Sequence, residues 1–255
     1  MRTLAVILVL ALVPAAACAA APGDSAALPR VDKLLPDVQT PAGVSTTLQW
    51  LLVLTVLSVA PAGVVMVTCF TRIIGVLGLL RQALATQQLP PNQVLFGLAL
   101  FMTLVVMAPV YRDVHRDAVE PYLSGKLSQA DALDAGTRHV RNFMIAQIEA
   151  GGNTDDVYLF IKDDLAARRG LKWADVPTLS LIPAYVVSEL KIAFLMGFRI
   201  YLPFLIIDML VSSVLISMGM LMVPPSLISL PFKLLLFVLA DGWHLVVGTL
   251  MRSFG

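Results

Sequence analysis

From Met209 to Phe232 the chain carries no charged residue. The run exceeds the roughly 20 residues a helix needs to cross a bilayer, yet it cannot remain one straight helix. Pro224 and Pro225 each lack an N–H and crowd the preceding turn, and Gly219 offers a flexible point. The run therefore predicts a hairpin: a helix to Met222, a turn at Pro224–Pro225, and a second helix from Ser226 to Arg252. Irregular backbone at membrane depth is tolerated only where protein or a water-filled cavity satisfies its polar groups. Three of the chain's 11 methionines, Met218, Met220 and Met222, fall at this bend. Methionine is unbranched and polarizable, so it fills irregular gaps and yields to different shapes. Residues two apart do not line one helix face but share one side of an extended loop. Two readings follow: ordinary apolar packing, or a deformable constriction made of Met218, Gly219, Met220, Leu221 and Met222 from several copies of the chain.

Composition narrows the class. Hydrophobic residues make up 58% of the sequence and charged residues 14%, against about 45–50% apolar in soluble domains, and mean hydropathy is +0.84. This is the composition of a polytopic membrane protein with room for one modest polar domain. A net charge of +1 and the lack of a basic cluster argue against a nucleic-acid binder. Cys18 and Cys69 give no disulfide framework. His115, His139 and His244 are scattered, and there is no phosphate-binding Gly-rich loop, nucleophile elbow or redox Cys pair. Asp208 and Asp241 have no companion motif that would make them an aspartyl pair. Neither enzymatic activity nor a cofactor or metal is expected.

The order of segments suggests the organisation. Arg2, the short apolar core Leu4 to Val13 and the small residues Ala15 to Ala21 read as a secretory signal peptide over residues 1–21. Residues 22–47, rich in Pro, Ala and Asp, read as a mostly irregular extracytoplasmic arm. Residues 48–110 form a first apolar hairpin: Leu48 to Thr71 with a kink at Pro61, apolar pattern on to Leu80, a polar break from Arg81 to Gln93, then Val94 to Val110. Residues 111–178 are polar, and Arg112 to Asp175 holds nine Lys/Arg and eleven Asp/Glu. There Ser128 followed by Asp131 resembles a capping start, and Leu133, Val140, Met144 and Ile148 approximate a helical stripe. The spacing predicts one helix over Ser128 to Ile148, ended by Gly151 and Gly152, and another over Thr154 to Arg168, capped by Gly170. Residues 179–255 form the second apolar hairpin. The expected fold is an all-α membrane protein, two apolar helical hairpins flanking a small helical periplasmic domain. Four spans that begin outside the cytoplasm put both termini and the polar domain on the periplasmic side.

Charges puncture the second apolar half at Glu189, Lys191, Arg199, Asp208, Lys233 and Asp241. Each costs about 2.5–3.5 kcal/mol at the centre of a lipid-exposed helix. Glu189 and Lys191 are two apart and point to different helix faces, so they do not neutralise each other. The simplest solution is burial against other subunits or against water, which makes all six candidate inter-subunit charges. Snorkelling or pairing within the chain for some of them, or helix-end positions in a compact bundle, are the alternatives. A carboxylate such as Glu189 is also the residue type an ion-coupled carrier would use.

Several stretches match one family. They are Pro183-Ala-Tyr-Val-Val-Ser-Glu-Leu-Lys-Ile-Ala-Phe194, Leu202-Pro-Phe-Leu-Ile-Ile-Asp-Met-Leu-Val-Ser-Ser213, Met218-Gly-Met-Leu-Met-Val-Pro-Pro225 and Leu230-Pro-Phe-Lys-Leu-Leu-Leu-Phe-Val-Leu-Ala-Asp-Gly-Trp243. In the first half, Phe70-Thr-Arg-Ile-Ile74, Leu79-Leu-Arg-Gln-Ala-Leu84 and Pro90-Pro-Asn-Gln-Val94 fit the same pattern, with Cys69 where serine is more usual. Over Leu48 to Phe254 the chain resembles the FliP/SctR family of type III export-apparatus proteins. The resemblance implies a homo-oligomer, expected to be a pentamer, that assembles with FliQ and FliR into a helical export gate with FlhB associated. That gate sits within the flagellar basal body in the bacterial inner membrane and passes unfolded export substrates. Much of such an assembly is raised toward the periplasm, so the four-span map is a hydropathy map. The family's methionine gate falls on Met220 and Met222, with Leu221 where a third methionine is common. The leader and long arm favour the flagellar branch; an injectisome (SctR-type) subunit or a stand-alone ion-coupled transporter is the alternative.

Overall fold

The structure is a computed structural model that describes residues 41–86, 89–161, 172–220 and 223–255, with side chains from residue 48 onward. The signal peptide, arm residues 22–40, the stretch expected to be helical from 162 to 168, Gly170, Leu221 and Met222 lie outside the described residues. The chain divides into two units, residues 1–58 and 59–255. Every described element is helical.

Helix α1, Pro41–Val67, begins earlier than the arm reading allowed. Proline loses nothing in a first helical turn, where its missing N–H has no partner to lose, so the helix absorbs the last seven residues assigned to the irregular arm. In the first unit Leu48, Trp50, Leu51, Leu54 and Leu57 are all exposed, on every face of the helix. The stretch Leu48–Val67 is long and apolar enough to cross a membrane.

In the second unit, α1 stops at Thr68, whose hydroxyl donates back to the Val65 carbonyl at 3.2 Å. The first span therefore breaks before Thr71. Helix α2, Phe70–Ala83, buries Phe70, Ile73, Val76, Leu77, Leu80 and Ala83, the stripe of a helix with one face in a core. Helix α3, Asn92–Val106, is followed by α4, Ala108–Val114, a π-helical turn over His115–Val119 and α5, Glu120–Leu123. The expected second span thus bends, by 54°, at Met107. Pro109 in the first turn of α4 explains the break, since it cannot donate to a carbonyl of α3. The first residues of the polar region, from 111 on, continue this helical run.

Helix α6, Gln129–Ala150, follows the expectation closely, with Ser128 Oγ accepting from the Asp131 N–H at 3.2 Å. Gly152, at φ +65°, ends it. Within the predicted stripe Met144 and Ile148 are buried, but Leu133 is 65% exposed. The predicted α-helix from Thr154 is a 3₁₀ segment, Thr154–Phe160, and Ile161 is already extended. The tighter turn keeps Asp156 and Val157 facing inward. A second 3₁₀ turn, Trp173–Asp175, leads to α7, Thr178–Ser217, a single helix of 40 residues that carries Pro183 and Pro203 inside it.

Helices α8, Pro225–Leu239, and α9, Gly242–Arg252, replace the one helix expected from Ser226 to Arg252, and they meet at 63°. Asp241 takes the left-handed conformation at φ 48°. Gly242 follows it under the Phe237 ring, where a Cβ would come within 2.2 Å of the aromatic carbons.

Helix α2 packs along α7. The approach is close because the contact residues are small: a Cβ on Gly75 would sit 3.2 Å from the Ala193 Cβ, and one on Gly197 would sit 2.2 Å from Leu79 Cδ1. Two apolar clusters result. One joins α2, α3, α7, α8 and α9 around Ile73, Leu77, Leu80, Ala193, Phe204, Phe237 and Leu250. The other joins α6, the 3₁₀ segments and the start of α7 around Met144, Ile148, Val157, Leu181 and Tyr185. Helix α7 is the common wall of both.

Candidate gate segment and buried ion pairs

The end of α7 is built by its backbone. Gly219, at φ +75°, donates its N–H to the Ile216 carbonyl at 3.0 Å, and Met220 donates to the Leu215 carbonyl at 3.0 Å. These are the paired bonds of a Schellman cap, which needs a left-handed residue and so favours glycine. Gly219 thus ends α7 in a left-handed cap. Met218 keeps right-handed helical backbone at the cap, so it does not share an extended strand side with Met220. Both side chains nevertheless reach the surface, Met218 at 66% exposure and Met220 at 40%. Pro224 then caps α8 with extended backbone and Pro225 opens it, the position where a proline is tolerated.

The charges of the second apolar half fall into a different arrangement from the one expected. Arg72 is buried and uses all five of its N–H donors. It reaches Glu189 Oε2 at 2.9 Å and Oε1 at 2.5 Å, the Ser253 carbonyl at 2.9 Å, Ser253 Oγ at 3.2 Å and Gln147 Oε1 at 3.1 Å. Its guanidinium also lies 4.2 Å from the centre of the Phe254 ring. One side chain thereby ties α2 to α6, α7 and the end of the chain. Lys233, also buried, donates to Asp208 Oδ2 at 2.6 Å and to the Ala83 carbonyl at 3.2 Å. Ser229 Oγ donates to the other Asp208 oxygen at 2.6 Å. That network ties α7, α8 and the carbonyl end of α2, where a cation also meets the helix dipole favourably. Lys191 pairs with the buried Asp156 of the 3₁₀ segment.

Glu189, Lys191, Asp208 and Lys233 therefore have ion-pair partners inside the chain. The Glu189 side chain is fully enclosed. Its acceptor oxygens are both held by Arg72, so nothing about it resembles a solvent-reached proton carrier. Arg199 and Asp241 are exposed, and neither belongs to an ion pair among the described residues. Sequence reasoning singled out Glu189 but not Arg72, Gln147, Ser229 or Asp156. These partners come from segments far apart in the chain, and a charge such as Arg72 within the apolar stripe of α2 is the one signal that could have found any of them.

Much apolar surface is left over. Phe194, Phe198, Met209, Leu210, Val214 and Ile216 of α7, with Leu227, Phe232, Leu235, Val238 and Leu239 of α8, are exposed. A chain in water does not leave so large an apolar area uncovered. An all-helical chain with apolar helices long enough to span a bilayer and ion pairs buried between them is an integral membrane protein.

Comparison with known proteins agrees. The FliP family matches residues 53–250. The flagellar biosynthetic protein FliP of Bacillus subtilis (strain 168) is 48% identical over 215 residues, 84% of this chain and 95% of that protein. The flagellar biosynthetic protein FliP of Caulobacter vibrioides is 44% identical over 255 residues, 100% of this chain and 92% of its own length. That of Aquifex aeolicus is 42% identical over 212 residues, 82% of this chain and 86% of its own. The chain belongs to the FliP family.

Proposed function

We propose that the chain is the pore-forming subunit of the flagellar type III protein export gate. Five copies assemble with FliQ-like and FliR-like subunits, with an FlhB-like protein attached, in the inner membrane within the basal body. The polar helices and both termini lie on the periplasmic side. Family membership supports the flagellar component, and relatives that carry the flagellar name favour it over an injectisome subunit. The observation that carries the gate itself is the end of α7. A 40-residue helix stops at a glycine cap, and Met218 and Met220 are exposed there among the described residues. Leu221 and Met222 continue the same segment in sequence. A ring of such loops excludes ions by dewetting and parts for a polypeptide because the side chains are soft. The exposed faces of α7 and α8 supply the subunit contacts, and Arg199 and Asp241 are the charges left for groups outside the chain.

Deletion of Met218 to Met222 tests this. The particle should still assemble, because the ion pairs that hold the helices lie elsewhere, but cells carrying it should leak small ions. Assembled complexes with unchanged membrane conductance would contradict the gate assignment.

A further inference from the structure

One cavity lies away from the gate segment and borders the first apolar cluster at Met196 and Val246. It measures about 620 Å³ and is bounded by α7, α9, the end of α6 and the C-terminal turn. Its walls combine two chemistries. Ile192, Leu195, Ile200, Leu245 and Val246 make them apolar, and Arg199 and Arg252 add two guanidinium groups. Both arginines are exposed and neither belongs to an ion pair among the described residues. Arg72 also reaches the wall, but its donors are consumed by Glu189, Gln147 and Ser253. The cavity is therefore cationic overall.

We infer that this cavity binds the phosphate of an anionic phospholipid, with Arg199 and Arg252 as its ligands and an acyl chain along Leu195, Ile200 and Leu245. Two forked guanidinium groups match the several oxygens of a phosphate better than a single carboxylate from a second copy, which one arginine would satisfy. The apolar walls have no use for a free anion but suit one that carries a hydrocarbon tail. The inference does not depend on the gate reading, since the cavity shares no residue with residues 218–222.

Native mass spectrometry of the gently extracted full-length chain, reconstituted with phosphatidylglycerol or phosphatidylcholine, tests it. The chain should retain phosphatidylglycerol preferentially, and Arg199→Gln with Arg252→Gln should lower that retention about tenfold, the loss expected for charge-assisted hydrogen bonds. Arg199→Lys with Arg252→Lys should keep the charge and more of the lipid, with the melting temperature reporting whether either variant is folded. Equal stabilisation of the wild-type chain by inorganic phosphate alone would overturn the lipid reading in favour of a free-anion site. Unchanged retention in a folded glutamine variant would overturn it outright. So would a wild-type particle that holds no lipid and loses copies of the chain when the arginines are replaced, which would make the cavity an interface.

Discussion

Arg72 sets the energetic character of the chain at the scale of single residues. A buried guanidinium is tolerable only if its charge and all its donors are met, and here Glu189, Gln147 and Ser253 meet them within 3.2 Å. Removing one partner strands the other. Glu189→Gln should therefore destabilise the chain by about 3–5 kcal/mol, seen as a lower unfolding temperature in detergent, while membrane insertion stays normal. A variant of wild-type stability with altered proton flux would instead favour the carrier reading. Half of this pair was visible in the sequence, since Glu189 is a conspicuous charge in an apolar helix. Its partner was not, because Arg72 is 117 residues away and only the fold brings α2 against α7. The same holds for Lys233 and Asp208, whose charges could be counted in the sequence but not matched.

Helix lengths and ends depend on a few backbone positions. The Ser128 cap and the Gly152 stop were legible because capping chemistry is local and has a fixed spacing. The breaks at Met107 and Ala240 were not, although Pro109 and Gly242 stand beside them. A proline or glycine marks a place where a helix can bend, and tertiary packing decides whether it does. Pro61 and Pro203 lie inside continuous helices of the same chain. The close seam between α2 and α7 makes the element-scale prediction. Gly197→Val puts branched carbon where a Cβ already meets Leu79 Cδ1 at 2.2 Å and Cβ at 2.9 Å. The helices must separate, at a cost of about 1–3 kcal/mol for overpacking. Disulfide trapping between cysteines placed at Gly75 and Ala193 would report the widening as slower cross-linking; an unchanged rate with unchanged stability would mean the seam is looser than its geometry.

The molecule as a whole is legible from its composition as a helical membrane protein, and from its motifs as a relative of an export component. Composition does not show where each charge is met. Of the six punctuating charges, Glu189, Lys191, Asp208 and Lys233 are paired within the chain. The need for neighbours survives in another form, as the exposed apolar faces of α7 and α8 and the outward methionines at residues 218 and 220. Such faces are satisfied by lipid or by further subunits, and the gate reading requires subunits. The decisive measurement is the mass of the particle extracted gently after expression of the chain with its neighbouring membrane-protein genes. The account predicts one large, defined particle that holds several copies of this chain together with small helical subunits. A stable monomer or dimer under the same extraction would contradict it and leave the apolar faces to lipid alone.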